Sequence, residues 1–336
     1  MDRHFRVLSK AKKDLLRLPN VVGVGVGHKM VGGESTGRVS LVVFVEKKVP
    51  AARMARGHVV PMKIGDVETD VIEIGRVRLL GERTRRVRPA QPGVSIGHYK
   101  ISAGTFGAVV KDKNTKEKLI LSNNHILANA TNGRDGRSRI GDPVLQPGPH
   151  DGGGPQDRIA SLLHFVPVVR TVQEIACPVA AAVEKAAGAA LHAVRPDYEL
   201  KLFKRSQETN LMDCAVARPD APNLISEEVF EVGAVAGVAD TGPGEGVLKS
   251  GRTSGVTEGK VMAVGVTVKV DITDNEVGWF SDQVVGDLVS RPGDSGSLIV
   301  TPSEGKAVGL LAAGSDRATI ACDIRRVLDL LDAELA

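Results

Sequence analysis

The turn Gly293-Asp294-Ser295-Gly296, followed closely by the apolar run Leu298-Ile299-Val300, constrains this chain more than any other segment. Two glycines around a polar pair favour a tight turn, and the apolar run after it is typical of a buried strand. Such a turn can aim the backbone N–H groups of Gly293 and Ser295 at one point. There they would stabilise the oxyanion that forms when a serine hydroxyl attacks a carbonyl. The turn therefore indicates acyl-transfer chemistry, although glycine–aspartate turns before strands are also ordinary structural elements.

A serine nucleophile needs a histidine to take its proton, and His125 is the best candidate. The run Lys118-Leu119-Ile120-Leu121 predicts a short strand, and His125 stands where that strand ends. The other seven histidines lack this position together with an acid and a serine downstream; they are His4, His28, His58, His98, His150, His164 and His192. We therefore expect His125 to act as the general base.

The third member of such a triad is a carboxylate that orients the histidine, and Asp213 is the candidate. It precedes Cys214-Ala215-Val216-Ala217, a run of small and apolar residues typical of a strand. Its carboxylate should therefore be half-buried and need a donor such as an imidazole N–H. Asp157 is the alternative, but the adjacent Arg158 and the glycine-rich loop before it favour a solvated turn.

These segments resemble the chymotrypsin/trypsin-like serine proteases. The resemblance rests on Leu-Ser-Asn-Asn-His at 121–125, Met-Asp-Cys-Ala-Val at 212–216 and Gly-Asp-Ser-Gly-Ser at 293–297, and it covers roughly residues 93–336. The order histidine, aspartate, serine is that of the same class. The resemblance implies a mainly β fold of two six-stranded antiparallel barrels. The first barrel would supply His125 and Asp213, and the second would supply Ser295.

Further segments are similar to parts of that fold. Gly-Arg-Thr-Ser-Gly at 251–255 resembles a glycine-rich turn that bacterial members carry in the second barrel. Residues 308–314 resemble the substrate-lining strand, and residues 324–335 resemble the C-terminal helix. The N-terminal extension, with glycines at 23, 25 and 27, and the Ser-Asn-Asn-His form resemble bacterial relatives of the plant Narrow Leaf trypsin-like protein.

The resemblance also implies where the P1 side chain of a substrate would bind. The pocket floor lies about six residues before the nucleophile, which corresponds to Val289, with Ser290 beside it and Gly314 in the wall. An apolar floor favours a medium apolar P1 residue over a basic one, although Asp287 stands nearby.

Related zymogens pair a new N-terminus with the aspartate before the serine. This chain has no clear start of that kind, so we expect internal donors to hold Asp294.

The chain is predicted to contain an N-terminal unit, a linker and a larger unit. Residues 1–80 form a small α+β domain for assembly or regulation, residues 81–93 a basic Pro/Gly linker, and residues 94–336 the trypsin-like domain. Within the first unit, the patterns predict a helix that ends before Pro19, strands over 21–27 and 38–46, a helical patch over 51–56, and strands over 59–64 and 67–74.

The interval between His125 and Asp213 is long for the class and predicts an insertion at about residues 168–206. Pro178 opens an alanine-rich stretch whose apolar positions mark one face of a helix. Two interpretations stay open. The helix overhangs the substrate groove, or it belongs to a surface hairpin that packs on the barrel or on a neighbouring subunit.

Basic residues are concentrated in one segment. The formal net charge of the chain is +4, and the segment 76–88 alone carries one acid, Glu82, against six arginines: Arg76, Arg78, Arg83, Arg85, Arg86 and Arg88. We interpret this segment as a solvated connector or a salt-bridged seam. Clustered arginines also bind phosphates, but no aromatic side chain is interleaved to stack bases, so a nucleic-acid partner is not expected.

Composition disfavours other function classes. The chain has no run of about eighteen apolar residues and no apolar signal-peptide core, so a soluble, cytoplasmic protein without a membrane partner is expected. Three cysteines, Cys177, Cys214 and Cys322, are too few and too scattered for a disulfide framework. None is spaced with a histidine as metal ligands are, and the N-terminal glycines do not match a nucleotide-binding loop. No metal and no cofactor are therefore expected.

The sequence thus predicts a serine endopeptidase that acts on protein or peptide substrates through His125, Asp213 and Ser295. A protease-derived binding or scaffold protein, in which the N-terminal unit and the insertion carry the function, is the main alternative. An esterase is a third. Besides the substrate, the expected partners are an activating protein and a second copy of the chain, bound through the N-terminal domain.

Overall fold

A computed structural model describes residues 2–50, 53–55, 57–75, 82–174, 177–206, 208–273 and 276–336. The chain divides into two compact units, Met1–Leu80 and Gly81–Ala336. Three predicted features lie wholly or partly outside the described residues: Arg76 and Arg78 of the basic segment, Gly81 at the start of the linker, and both ends of the 51–56 patch.

In the described part of the N-terminal unit, one helix packs on a four-stranded sheet. The elements are α1 (Asp2–Leu15), β1 (Val21–Val31), β2 (Glu34–Val45), β3 (Lys63–Ile64) and β4 (Val67–Glu73), and the sheet order is β1-β2-β4-β3. Strands β1 and β2 are antiparallel, whereas β2 and β4 are parallel. Leu15 packs with Val43 and Val45, so aliphatic side chains supply the core of this unit.

The hairpin of this unit is longer than the sequence predicts. Gly32 and Gly33 both have positive φ, 60° and 88°, which suits a two-residue hairpin turn. Strand pairing therefore continues to Val31 and Glu34, beyond the expected strands over 21–27 and 38–46. The strand expected over 59–64 is in contrast reduced to Lys63–Ile64.

The larger unit is mainly β. Its strands are β5 (Ser95–His98), β6 (Gly104–Thr105), β7 (Ala108–Asp112), β8 (Lys118–Ser122), β9 (Pro143–Leu145), β10 (Arg158–Phe165), β11 (Val172–Glu174), β12 (Phe203–Arg205), β13 (Ala215–Pro219), β14 (Gly246–Gly251), β15 (Gly255–Thr273), β16 (Glu276–Gly286), β17 (Leu298–Val300), β18 (Ala307–Gly314), β19 (Thr319–Asp323) and β20 (Ala333–Leu335). Its α-helices are α2 (Asn124–Leu127), α3 (Pro178–Val194) and α4 (Ile324–Leu330).

Eight of the described strands form an antiparallel sheet in the order β20-β7-β8-β13-β10-β9-β5-β6. Strands β6 and β7 lie towards opposite ends of this order, yet only Phe106 and Gly107 connect them, so the sheet must curl until its ends approach. Glycine at 107 lets the first sheet lie close against the turn before β17, because a Cβ there would lie 2.3 Å from the carbonyl oxygen of Gly296. Ile96, Phe106 and Ile120 are buried in the core of the curled sheet.

Six other described strands close into a barrel in the order β14-β15-β16-β19-β18-β17. Val247, Val261 and Val308 are among the aliphatic side chains of its core. The predicted mainly β, double-barrel fold is confirmed, and the predicted glycine-rich turn at 251–255 joins β14 to β15. The first sheet has eight strands rather than six, because the short β6 and the C-terminal β20 join it.

The C-terminal segment differs from the predicted helix over 324–335. Helix α4 begins after Asp323, whose side chain accepts a hydrogen bond from the N–H of Arg326, and it ends at Leu330. Asp332 then adopts a positive φ of 51°, which reverses the chain. Strand β20 follows and pairs with β7, so the chain end belongs to the first sheet.

The helix predicted after Pro178 is present as α3. The two short strands that flank it, β11 and β12, pair with each other as a separate ribbon. All of α3 is described, and none of its side chains is buried; Val179, Val183 and Val194 are exposed. The insertion is therefore an exposed arm.

The close contact between Gly107 and the turn before β17 predicts opposite effects for two glycine substitutions. Gly107→Ala should lower the free energy of unfolding by about 1–3 kcal/mol, because the new methyl group would meet backbone atoms of Gly296 and Leu121. Gly188→Ala in α3 has open space around it and should raise the free energy of unfolding by up to about 1 kcal/mol through helix propensity. Denaturant unfolding measures both, and equal effects would contradict this account of the contact at Gly107.

Candidate active site

His125 lies in the first turn of the short helix α2, just after β8 ends at Ser122. Two buried asparagines hold this turn in place. Asn123 Nδ2 donates to the carbonyl oxygen of Asp213 at 2.7 Å, and Asn124 Nδ2 donates to that of Thr131 at 3.0 Å. The predicted strand end therefore fixes the backbone of His125 beside Asp213.

Asp213 lies two residues before β13, as predicted, and is 5% exposed. Its Oδ1 accepts the backbone N–H of His125 at 3.1 Å, and its Oδ2 is hydrogen-bonded to Nδ1 of the same residue. A buried carboxylate needs donors, and His125 supplies two. With Nδ1–H donating to Asp213, Nε2 of His125 is left to accept a proton.

Ser295 lies between two glycines of positive φ, shortly before β17. Gly293 and Gly296 have φ of 98° and 94°, a region that favours glycine. Ser295 Oγ donates to the carbonyl oxygen of Ala312 at 3.3 Å, and the carbonyl of Ser295 accepts the N–H of Thr105 at 2.8 Å. The nucleophile candidate is therefore attached both to β18 of the barrel and to β6 of the first sheet.

The three predicted catalytic residues line one cavity of about 380 Å³. They are separated by 88 and 82 positions in the sequence, and only the packing of the sheet against the barrel brings them together. Ser290 and Gly314 also line the cavity, as do Val168 near the first sheet and Val270, Ile272 and Phe280 of β15 and β16.

The two amides predicted to form the oxyanion site differ from the neighbouring amides of the turn in their hydrogen bonding. The N–H of Asp294 donates to the carbonyl of Arg291 at 2.9 Å, and the N–H of Gly296 donates to that of Leu311 at 2.8 Å. The N–H groups of Gly293 and Ser295 have no acceptor among the described residues. They are the two donors of this turn that can bind a substrate oxygen.

Internal donors hold Asp294, as predicted. Its carboxylate is 0% exposed and lies 3.0 Å from Nζ of Lys249, which is also 0% exposed. Further hydrogen bonds come from the amides of Thr253, Ser254 and Arg291 and from the hydroxyl of Ser254. Burial by itself would raise the pKa of Asp294, but Lys249 and these hydrogen bonds hold it below its ordinary value.

Lys249 was not predicted from the sequence. It stands in β14, where the apolar Val247 and Leu248 precede it, and a lysine in such a run is the signal that was available. Burial lowers the pKa of Lys249, and Asp294 opposes that shift. Lys249 thus supplies, from within the chain, a cation for the aspartate that precedes Ser295.

The structure brings two of the three predicted pocket residues together. A Cβ on Gly314 would lie 2.3 Å from Ser290 Oγ, and the hydroxyls of Ser290 and Thr319 are hydrogen-bonded at 2.7 Å. Val289 is 57% exposed and lies outside the described lining of the cavity. The Asp287 carboxylate accepts the N–H of Lys260 instead of entering the cavity.

Asp157, the alternative acid, lies elsewhere in the first sheet. It is 7% exposed, accepts the N–H of Gly154 at 3.0 Å and lies 3.2 Å from Nε of Arg86. The expected solvated turn is therefore wrong, because the carboxylate caps a short 3₁₀ turn and pairs with an arginine of the basic segment.

The described arginines of the basic segment have partners within the larger unit. Arg83 lies 2.7 Å from Glu231, donates to the carbonyl of Gly93 and stacks 4.6 Å above the ring of Phe230. Arg88 donates to Gln146. These contacts fit the salt-bridged interpretation of the segment more closely than a solvated connector.

In the described ranges, no group of three His, Cys, Asp or Glu side chains is arranged to hold a metal ion. The cysteines are free thiols; burial raises the pKa of Cys322 to about 12 and that of Cys214 well above its ordinary value. No helix among the described residues is both long and apolar enough to cross a membrane.

The mainly β fold, with its curled sheet and closed barrel, is similar to several solved protease structures. A Nocardiopsis protease has a TM-score of 0.46 and 15% identity, over 73% of this chain and 99% of its own. Thermobifida fusca protease A has a TM-score of 0.46 and 14% identity, over 74% of this chain and 99% of its own. A Cellulomonas bogoriensis chymotrypsin has a TM-score of 0.43 and 15% identity, over 73% of this chain and 97% of its own. No protein-family model and no curated protein matches the chain. The narrower resemblance to the plant Narrow Leaf protein stays a prediction.

The buried ion pair predicts a large effect for one substitution. Lys249→Met should lower the free energy of unfolding by about 3–5 kcal/mol, because it leaves the Asp294 carboxylate buried without its cation. The double variant Lys249→Met/Asp294→Leu removes both charges and should regain most of that loss. Lys306→Met, which removes an exposed ion pair with Glu304, is the control and should leave the free energy of unfolding almost unchanged, because solvent screens exposed charges. Denaturant unfolding measures all three; a single variant as stable as the wild type would refute the role of Lys249.

Proposed function

We propose that this protein is a serine endopeptidase in which Ser295 is the nucleophile, His125 the general base and Asp213 the residue that orients His125. The observation that carries the proposal is the shared cavity, in which a buried aspartate binds both the backbone and the ring of the histidine while the serine stands on a glycine turn. A scaffold has no need of all three groups in one cavity.

In the proposed reaction, Ser295 Oγ attacks the scissile carbonyl carbon while His125 Nε2 takes the hydroxyl proton. The carbonyl oxygen becomes an oxyanion, which the N–H groups of Gly293 and Ser295 stabilise. His125 then gives its proton to the leaving amine, and an acyl-enzyme remains. Water attacks the acyl-enzyme with His125 again as base, which releases the carboxylic acid product. Asp213 stays ionised and stabilises the imidazolium in both steps.

The edge of β18 can bind the substrate backbone. Leu311 is the last residue of β18 that exchanges backbone hydrogen bonds with the turn before β17, through Gly296 and Ser297. Beyond it, Ala312–Gly314 has no strand partner on that side among the described residues. An extended peptide can add as a strand to such an edge, which runs directly past Ser295.

We further propose that the P1 residue is uncharged, apolar and small to medium in size. The hydroxyls of Ser290 and Thr319 bind each other at the floor, and the short distance between Ser290 and Gly314 narrows the pocket. Three charged residues of the lining, Asp271, Arg291 and Asp316, are exposed. The fourth, Asp213, is buried but is already hydrogen-bonded to His125, so the lining offers no buried, unpaired carboxylate to a basic side chain.

A peptide library tests the P1 proposal. Cleavage after Ala, Val or Leu should exceed cleavage after Lys or Arg by about tenfold or more, because burying an unpaired charge at a hydroxyl-lined floor is unfavourable. Mass spectrometry of the products identifies the P1 residue. Efficient cleavage after Arg would reject this specificity.

A fluorophosphonate probe tests the chemistry itself. The wild type should be labelled and Ser295→Ala should not, whereas Asp213→Asn should lower kcat for a peptide substrate by about 10⁴-fold. Ser303→Ala, at an exposed turn, is the matched serine control and should be labelled like the wild type. Lack of labelling of the wild type, with candidate partners present, would refute the proposal.

The main alternative is a binding or scaffold protein, and the exposed arm with α3 is the observation that favours it. Hydrolysis of small esters without peptide cleavage would identify an esterase instead.

The activating partner, self-association through the N-terminal unit and a cytoplasmic location stay predictions.

A further inference from the structure

The amide of Gly293, one of the two donors of the oxyanion site, belongs to a β-turn. The N–H of Asp294 donates to the carbonyl of Arg291 at 2.9 Å, and this bond closes a turn with Pro292 and Gly293 at its centre. The proline ring fixes the φ of Pro292 at about −65°, whereas the φ of Gly293 is 98°. A negative φ followed by a positive φ defines a type II turn.

The central peptide of such a turn can point in either of two directions. Turns of type I and type II differ mainly in the direction of this peptide plane. Glycine adopts positive and negative φ about equally well, so Gly293 does not select one of them. The C=O and N–H of a trans peptide point in opposite directions, so in the type I form the carbonyl of Pro292 would replace the N–H of Gly293 in the oxyanion site. A carbonyl oxygen there would repel the oxyanion.

The hydroxyl of Thr253 binds this peptide. Thr253 Oγ1 donates to the carbonyl oxygen of Pro292 at 2.8 Å. The carbonyl of Pro292 therefore points to Thr253, and the N–H of Gly293 points away from it. The contact is close, because a Cβ on Gly293 would lie 2.5 Å from Thr253 Oγ1. The hydroxyl thus stabilises the type II form of the turn.

Arg252 determines the direction of the Thr253 hydroxyl. Its Nη1 lies 2.9 Å from Thr253 Oγ1, and a guanidinium group can only donate. The oxygen of Thr253 therefore accepts a hydrogen bond from Arg252, and its single hydrogen is left for Pro292. The backbone of Thr253 is also held, since its N–H donates to Asp294 Oδ1 at 2.8 Å.

A buried ion pair anchors Arg252 to the half of the unit that contains the first sheet. The side chains of Arg252 and Asp151 are 11% and 8% exposed, and they pair through Nε at 2.8 Å and through Nη2. Ser95 Oγ donates to the same carboxylate at 2.5 Å. Two parallel hydrogen bonds to a carboxylate fix the plane of a guanidinium group. The Nη1 atom that reaches Thr253 therefore has a defined position.

The peptide that follows Gly293 has separate support. Thr105 Oγ1 donates to the carbonyl oxygen of Gly293 at 2.8 Å, and the N–H of Asp294 in the same peptide closes the turn. In the part of the chain that the structure describes, the carbonyl of Pro292 accepts a hydrogen bond from Thr253 alone. The direction of the Gly293 N–H is therefore the specific contribution of Thr253.

We propose that Thr253 is a positioning residue for catalysis: its hydroxyl holds the peptide between Pro292 and Gly293 in the direction that offers the Gly293 N–H to the oxyanion, and Arg252 directs that hydroxyl. The inference rests on the proposed function, because it requires a reaction at Ser295. Thr253 and Arg252 are outside the described lining of the cavity, so they act through Gly293 and not on the substrate.

The test compares Thr253→Val and Thr253→Ser in the full chain. Thr253→Val keeps the shape of the side chain and removes the hydroxyl. It should lower kcat for a fluorogenic peptide amide about tenfold, and it should slow labelling by a fluorophosphonate, whose phosphoryl oxygen occupies the oxyanion site, by a similar factor. KM should stay within about twofold of the wild type, because the weakened interaction forms in the transition state. Thr253→Ser keeps the hydroxyl and should restore kcat to within about threefold.

Thr36→Val is the matched control. Thr36 is exposed like Thr253, and its hydroxyl also donates to a backbone carbonyl at 2.8 Å, that of Lys29. This variant should keep the wild-type kcat. Arg252→Lys keeps a cation beside Asp151 but lacks the second nitrogen that reaches Thr253. It should lower kcat without raising KM, and it tests the same link where Thr253→Val fails to fold, as thermal unfolding shows.

Three results would overturn this inference and leave the proposed function intact. They are a wild-type kcat in Thr253→Val, a loss that Thr253→Ser does not restore, and a change in KM alone. A wild type that the probe does not label at Ser295 would overturn the proposed function and this inference with it.

Discussion

The buried ion pair between Lys249 and Asp294 fixes the turn on which Ser295 stands. A carboxylate with no exposure is costly without a cation, so Asp294 cannot turn outward without leaving Lys249 unpaired in the interior. The same carboxylate accepts the amides of Thr253 and Ser254. The Asp294 carboxylate therefore ties the turn between β14 and β15 to the turn that carries Ser295.

Alignment of His125 with Ser295 depends on how the sheet meets the barrel. Thr105 of the first sheet donates its N–H to Ser295 and its hydroxyl to the carbonyl of Gly293. Arg252 of the barrel donates its N–H to Thr105 Oγ1 and, from Nε, a hydrogen bond of 2.8 Å to Asp151 of the first half. The proposed triad is divided between the sheet and the barrel and would need such contacts, because an error of about 1 Å between reacting groups lowers the rate about a hundredfold.

Local signals identified the residues of the site that lie at element ends. His125 follows a strand, Asp213 precedes one, and Ser295 stands between a glycine turn and a buried run, so each leaves a mark in a few neighbouring positions. The sequence around Lys249 and Arg170 gave weaker signals. Their partners, Asp294 and Glu276, lie 45 and more than 100 positions away in the chain. Val289 and Ser290 are adjacent, and a family spacing cannot say which of them lines the cavity, because the tertiary contacts of Ser290 with Thr319 and Gly314 decide it.

The sequence by itself determined that the chain forms valine-rich strands, that a glycine turn precedes the apolar run with Leu298, and that His125, Asp213 and Ser295 occur in one usable order. These properties follow from periodicity and turn chemistry, which act over a few residues. Only the tertiary structure decided that β20 joins the first sheet, that Lys249 neutralises Asp294, and that Glu276 meets Arg170 above the cavity. The physical reason is that burial of charge and strand pairing depend on which distant segments share a core, and no local pattern encodes that.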